Sequence, residues 1–123
     1  MRAQKISRRA ANAGFEWEDL GGVWAKVHEE IDELKAAEPG TAHAEEELGD
    51  LLFTVVNVAR HMGIDAESAL RGTCAKFMRR FEGMEAAVAD SGRPLEELQA
   101  HEWEILWGHA KEAESAAGAS RDQ

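Results

Sequence analysis

Paired carboxylates at helical spacing are the residues of this sequence best suited to chemistry. The segment 27–53, VHEEIDELKAAEPGTAHAEEELGDLLF, holds nine carboxylates in two groups that a Pro-Gly turn separates. Each group contains two acids that lie three residues apart, Glu30 with Glu33 and Glu47 with Asp50. Residues at this spacing share one face of an α-helix. Each pair therefore presents two carboxylates side by side.

Four carboxylates that face one another repel and lose solvation unless cations neutralise them. Oxygen ligands without cysteine or clustered histidine suit hard ions, so these acids predict a site for Mg²⁺, with Mn²⁺ as the alternative ion. A solvated acidic surface is the competing interpretation, since Glu is a good helix former. A di-iron bundle is disfavoured because it needs Glu three residues before His, and no histidine of the sequence has that neighbour.

Helical periodicity runs through almost the whole sequence and predicts the elements that hold these acids. Apolar residues recur at steps of three and four, the spacing of one helical face. Thr41 and Asp65 are suited to cap the starts of two helices. The predicted helices are A over 19–38, B over 42–62, C over 66–90 and D over 94–115.

Short connections between these helices imply antiparallel neighbours. The predicted fold is therefore all-α, an antiparallel four-helix bundle-like domain over residues 14–115. Residues 1–13 form a basic N-terminal segment that is suited to a short helix, and residues 116–123 are predicted to be a disordered tail. A length of 123 residues allows one domain with a core of its own.

Helical geometry places the acid pairs beside the predicted core. On a helical wheel, helix B carries a polar stripe next to its apolar stripe. The members of that stripe are Glu47, Asp50, Thr54, Asn57 and His61. Helix A has a matching stripe of Lys26, Glu30 and Glu33. When the two apolar stripes pack together, the four acids can meet at the edge of the seam.

Charge and composition exclude several classes of protein. The net charge of −10 argues against general nucleic-acid binding. No apolar run approaches the ~20 residues that cross a bilayer, and the N-terminus lacks an apolar signal segment. We therefore expect a cytoplasmic protein with neither a nucleic-acid nor a membrane partner. The single cysteine, Cys74, fits a reducing compartment and is predicted to pack on the apolar stripe of helix C.

The motifs and their order resemble the MazG-type nucleoside triphosphate pyrophosphohydrolases of the all-α NTP pyrophosphatase superfamily. The resemblance covers residues 3–112 and is to one domain copy, the C-terminal catalytic one, in a family where many members have two. It rests on GFEW (14–17), EEIDE (29–33), ELGD (47–50), GDLLFTVVNVARHMG (49–63) and KFMRRF (76–81), then Trp107 and Lys111.

The resemblance implies a Mg²⁺-dependent enzyme that hydrolyses nucleoside or deoxynucleoside triphosphates to the monophosphate and pyrophosphate. It implies Glu30, Glu33, Glu47 and Asp50 as metal ligands. The substrate-binding residues that it implies are Lys26, His43, Glu46, Lys76, Arg80, Trp107 and Lys111. Glu29 is the candidate general base, and Glu33 is the alternative holder of the attacking water.

Physical chemistry is consistent with the basic and aromatic residues of this set. Lys76 and Arg80 lie four residues apart and share a helix face, where Arg offers bidentate phosphate recognition and Lys a point charge. Trp107 is suited to stack on a base or to pack in a core or interface. Two positions depart from the family's pattern, because Cys74 stands where Asn is frequent and His43 where Lys is frequent. Substrate preference is therefore not carried over.

Other functions stay open on the sequence. One alternative is a non-catalytic helical module that regulates or binds a partner. Narrower enzymes of the superfamily, specific for dUTP, dCTP or phosphoribosyl-ATP, are further alternatives. Because four helices make a shallow site, a homodimer or higher homo-oligomer formed through helices is expected. Trp24 and Trp103 are candidates for its interface, with core packing as the alternative.

Overall fold

The described part of the chain is helical throughout its regular structure. The computed structural model describes residues 2–121, with side chains described for residues 2–115. These residues form five α-helices and one short 3-10 helix, without a strand, so the all-α prediction is confirmed. The helices are α1 (Arg2–Asn12), α2 (Leu20–Ala36), α3 (Ala42–His61), α4 (Ala66–Ser91) and α5 (Ala100–Arg121), with the 3-10 helix at Leu95–Glu97.

Side-chain caps define where the helices begin. The Thr41 hydroxyl accepts a hydrogen bond from the Ala44 amide at 3.1 Å, and the Asp65 carboxylate accepts one from the Ser68 amide at 3.1 Å. Both caps were predicted from the sequence. An unexpected third cap is Asp19, which accepts from the Gly22 amide at 2.9 Å at the start of α2.

The last helix begins later than the predicted residue 94. Pro94 is extended, with ψ of 141°, and opens the 3-10 helix. Leu98 is extended again, with ψ of 137°, so the regular α-helix starts only at Ala100. At its other end α5 runs to Arg121, into the segment predicted as a tail. Residues 122–123 and the side chains of 116–121 lie outside the described part, and the tail stays a prediction.

The chain divides into two compact units, Met1–Leu70 and Arg71–Gln123. In the first unit α1 and α2 both pack against α3. The core of this unit centres on Val23, Val27 and Val58, and Val23 is fully buried. Burial of an aliphatic side chain contributes about 1.5–3 kcal/mol, so this seam holds α2 against α3. Among the described residues, none of the helices combines the length and apolar character needed to span a membrane.

Buried polar side chains tie α1 to the rest of the first unit. The Ser7 hydroxyl donates a short hydrogen bond to the Asn57 side-chain oxygen and accepts one from Arg60 Nε at 2.8 Å. Gln4 donates to the Ile64 carbonyl at 2.9 Å and accepts from the Ala66 amide at 2.8 Å. The predicted N-terminal helix is therefore an integral layer of this unit.

The second unit is built around aromatic contacts between α4 and α5. Phe81 lies 6.1 Å from Trp103 and Phe77 lies 5.4 Å from Trp107, measured between ring centroids. The prediction that Cys74 packs as a small hydrophobe is wrong, because its side chain is exposed. Leu70 and Phe77, on the same apolar stripe, are also more than half exposed, so this stretch of α4 has an uncovered apolar surface.

Candidate metal and nucleotide site

The turn between α2 and α3 brings the two acid pairs together. Gly40 has a φ of 81°, a left-handed conformation that favours glycine. The Thr41 hydroxyl donates to the Glu38 carbonyl at 2.7 Å, which closes the turn just before α3 begins. Because α2 and α3 then pack along their apolar stripes, acids from both helices reach the same place.

Three carboxylates converge at this place. One oxygen from each of Glu30, Glu47 and Asp50 lies within 4.8 Å of the others. Glu30 is buried, with 4% of its surface exposed, whereas Asp50 is exposed. Such proximity repels when all three groups are ionised. The cluster is therefore unfavourable by itself and favourable around a positive charge.

Two oxygens of the cluster support this interpretation directly. Glu30 Oε2 and Glu47 Oε2 are buried and have no hydrogen-bond partner among the described residues. A buried polar atom without a partner costs about 1–3 kcal/mol, and more when it carries charge. A hard cation would satisfy both atoms, so the donor set fits a Mg²⁺ or Mn²⁺ ion.

Glu33, the fourth predicted ligand, lies beside Glu47 but is not one of the three acids whose oxygens lie within 4.8 Å of one another. A hydrogen bond with the Glu47 carboxyl, together with the charge of Glu30, raises the pKa of Glu33 above its usual value. Glu33 itself is exposed. It therefore holds a proton more readily than an isolated glutamate and contacts the cluster from the solvent side.

Lys26 neutralises part of the negative charge of Glu30 and Glu29. Its ammonium lies 2.9 Å from Glu30 Oε1 and 3.3 Å from Glu29 Oε1. The hydrogen bond to Glu30, and secondarily that to Glu29, raises the pKa of Lys26. Glu29, the candidate base, is exposed and engaged with this lysine, and it is not one of the three converging acids.

The second unit carries the basic and aromatic residues of the predicted substrate site. The Arg80 guanidinium carbon lies 5.1 Å from the centre of the Trp107 ring, a cation–π contact. Arg80 Nε also donates to Glu114 Oε2 at 2.5 Å. Lys76 is half-buried and Lys111 is exposed.

Comparison with known proteins identifies the family to which these motifs belong. Residues 23–84, half of the chain, match the family model described as the MazG nucleotide pyrophosphohydrolase domain. The chain belongs to the MazG family. The resemblance inferred from the motifs is thereby confirmed, and the matched MazG region contains all four predicted metal ligands.

Two curated relatives extend the match beyond this MazG region. A nucleoside triphosphate pyrophosphohydrolase of Escherichia coli strain K12 is 47% identical over 118 residues, which cover 93% of this chain and 45% of that protein. A nucleoside triphosphate pyrophosphohydrolase/pyrophosphatase MazG of Thermotoga maritima is 43% identical over 109 residues, 89% of this chain and 42% of its own length. The chain thus spans less than half the length of either relative.

The remaining predicted residues of the MazG site lie at the start of α3. His43 Nε2 is 3.7 Å from Glu47 Oε1, and the imidazole is largely exposed. Glu46 is exposed as well. The departure at position 43 therefore places an imidazole, where the family's pattern frequently has a lysine, next to a cluster acid.

Sequence reasoning missed two carboxylates that organise the basic side chains of this MazG domain. Glu114 pairs with Arg80 and with Arg79, whose Nη2 lies 2.9 Å from Glu114 Oε1. Glu16 pairs with Arg60. The only sequence signal for Glu114 is its position seven residues after Trp107, on the same helix face. The signal for Glu16 was its place in the GFEW motif.

Proposed function

We propose that this chain hydrolyses nucleoside or deoxynucleoside triphosphates to the monophosphate and pyrophosphate in a reaction that requires Mg²⁺. The observation that carries the proposal is the convergence of Glu30, Glu47 and Asp50, with two buried oxygens that lack a partner. Membership of the MazG family and the names of the two relatives support it. Because the chain spans less than half of those relatives, the activity is proposed for this domain alone.

Glu30, Glu47 and Asp50 would hold the ion, with Glu33 as the fourth ligand. Mg²⁺ is the proposed ion and Mn²⁺ the alternative, because both prefer oxygen ligands. When bound, such an ion lowers the pKa of water and neutralises charge on the phosphates.

Glu33 is the better placed of the two candidate proton acceptors. Its carboxyl lies beside Glu47 at the edge of the cluster, where an ion held by these acids would carry the attacking water. Glu29 is held by Lys26 on the solvent side, so we propose that Glu29 orients Lys26. Lys26 in turn screens Glu30.

The phosphates are proposed to bind Lys76 and Arg80, with Lys111 as an additional cation. Arg80 covers one face of Trp107, and the Phe77 ring also lies 5.4 Å from it, so a nucleobase would contact the part of the indole that these two side chains leave uncovered. His43 and Glu46 are proposed to contact the nucleotide from the start of α3.

The proposed chemical step is the attack of one water molecule on the α-phosphorus of the triphosphate. A water oxygen attacks the α-phosphorus in line, and the new P–O bond forms as the bond from that phosphorus to its bridging oxygen breaks. Pyrophosphate leaves with the bridging oxygen, and the water proton passes to Glu33. Positioning and charge stabilisation supply most of the acceleration in phosphoryl transfer.

Release of pyrophosphate from a mixture of triphosphates with Mg²⁺ tests the proposal. We expect release by the parent protein and at least a hundredfold loss in Glu47→Ala and Asp50→Ala, about 3 kcal/mol of barrier. Glu45→Ala, an exposed acid on the same helix, serves as the matched control and should retain activity. Equal release by all variants, or none by any, would contradict the enzyme and favour the non-catalytic helical module.

Competition among canonical, deoxy and damaged triphosphates would then define the substrate class. Inclusion of dUTP, dCTP and phosphoribosyl-ATP distinguishes a broad MazG activity from the narrower alternatives. A single dominant substrate among these three would replace the broad specificity proposed here.

A homodimer formed through helices is proposed on the exposed apolar face of α3. Leu48, Leu52, Val55 and Met62 follow helical spacing, and each is more than two-fifths exposed. Contiguous apolar surface of this kind favours association. Trp24 on α2 is also 44% exposed. The cytoplasmic location and the absence of nucleic-acid and membrane partners stay predictions from the sequence.

A further inference from the structure

Glu114 contacts Arg80 but, as an acid, is not suited to bind a phosphate itself. Glu114 on α5 accepts a hydrogen bond from Arg80 Nε at 2.5 Å, and Arg79 donates to its other oxygen at 2.9 Å. All three residues lie within the second unit. One carboxylate therefore holds two neighbouring arginines of α4.

Arg80 binds Glu114 through only part of its guanidinium group. Only Nε donates a hydrogen bond to Glu114, and among the described residues the terminal nitrogens Nη1 and Nη2 donate none to another side chain or to the backbone. One face of the guanidinium is fixed against Trp107 at 5.1 Å. The side chain is thus held at two places, while its two terminal nitrogens stay available as donors.

We propose that Glu114 is a positioning residue that fixes the Arg80 guanidinium so that its terminal nitrogens bind a phosphate of the substrate. The inference rests on the proposed function, in which Arg80 is a phosphate ligand. A free arginine side chain loses rotamer entropy when it binds a ligand, and a guanidinium that is already held in place loses less of it. Because Glu114 shares its charge with Arg79, the local sum of the three groups remains positive, and an anion is still attracted.

Kinetics of triphosphate hydrolysis by Glu114→Ala test this role. We expect KM to rise about tenfold, typical for loss of a residue that orients a ligand, with kcat within about twofold of the parent. Glu114→Gln keeps an acceptor for Nε and should restore KM to within about threefold. Glu112→Ala, an exposed acid on the same helix, is the matched control and should leave both constants unchanged.

A double-mutant cycle separates positioning from a general structural role. In an Arg80→Ala background, Glu114→Ala should cause no further rise in KM, because the group that it orients is gone. An equal rise in both backgrounds would overturn the proposal. Unchanged KM in Glu114→Ala, or a KM in Glu114→Gln as high as in Glu114→Ala, would also overturn it.

Binding of inorganic tripolyphosphate, measured by calorimetry, keeps this inference distinct from the proposed activity. If the parent protein hydrolyses no triphosphate, the proposed function fails, and the positioning role is then judged on binding alone. Weaker binding by Glu114→Ala than by the parent supports the role. Equal binding, or none by the parent, refutes it.

Discussion

Glu16 and Arg60 form a two-point ion pair, with Arg60 Nη1 and Nη2 donating to the two carboxylate oxygens at 2.6 and 2.7 Å. His61 Nε2 lies 2.8 Å from Glu16 Oε1. The same arginine uses Nε to hold Ser7 of α1. This pair therefore connects the loop after α1 to the end of α3.

Glu16 should make the stability of the protein depend on pH in the acid range. Hydrogen bonds from Arg60, and then from His61, lower the pKa of Glu16 from 4.5 to about 2. A lowered carboxylate pKa stabilises the fold above the unfolded-state value, and this contribution is lost as pH falls from about 4.5 to about 2. Denaturant titrations across that range should show Glu16→Gln to be less stable at neutral pH, by about 1 kcal/mol, with a flatter acid dependence.

The matched control for this prediction is Glu18→Gln, which removes an exposed acid two residues away. It should reproduce the pH profile of the parent. A Glu16→Gln profile that is parallel to the parent through the acid range would refute the assignment.

Loss of the Ser7 hydroxyl should destabilise the first unit. Ser7→Ala leaves the buried Asn57 oxygen and Arg60 Nε without their partner, and an unpaired buried group costs about 1–3 kcal/mol. Urea denaturation followed by circular dichroism measures this change. Ser68→Ala, an exposed serine, should shift the midpoint little, and an equal shift in the two variants would argue against the buried contact.

Divalent cations should stabilise the protein through the acidic cluster. At about 100 times its Kd, an ion that binds only the folded state adds about 2.7 kcal/mol. Thermal unfolding of the parent should therefore move to higher temperature with Mg²⁺ and return with a chelator. Glu47→Gln should unfold at a higher temperature than the parent without metal, because it removes one of the repelling charges, and should lose the response to Mg²⁺.

Glu45→Gln lies on the same helix outside the cluster and should keep the full Mg²⁺ response. If Glu47→Gln responds to the ion as the parent does, the three converging acids are not the binding site.

The α3 face should control the oligomeric state. Leu52 is 57% exposed at the middle of this face, and Leu52→Glu would place a charge in an apolar interface. Sedimentation at rising concentration should show a dimer for the parent and a monomer for Leu52→Glu. Leu70→Glu, at a comparably exposed leucine of α4, should remain dimeric, and an unchanged mass in Leu52→Glu would assign the interface elsewhere.

Much of the architecture was predictable because it depends on local interactions. Thr41 and Asp65 cap helices as expected, since a cap involves only residues within one turn. The late start of α5 was missed because Pro94 leads into an extended residue, Leu98, before the helix. Both cases involve neighbours in sequence, but the second depends on backbone angles that residue types alone do not specify.

In the candidate site, too, some features follow from the sequence and others only from how the helices pack. Spacing of three residues is a local property, so the sequence by itself determined that Glu30 with Glu33, and Glu47 with Asp50, share helix faces. Only the tertiary structure decided which of these acids approach most closely, because that depends on how α2 and α3 are rotated about their axes when they pack. It placed Glu30 among the converging acids and left Glu33 at the side.

Contacts between residues far apart in the chain were decided by the tertiary structure alone. Ser7 with Asn57, and Arg80 with Glu114, join side chains from different helices, and no periodicity relates their positions. Such pairs form where packing brings two polar groups out of water together and each satisfies the other. Residue types and spacing therefore determined the helices and the chemistry that they offer, and packing determined which groups meet.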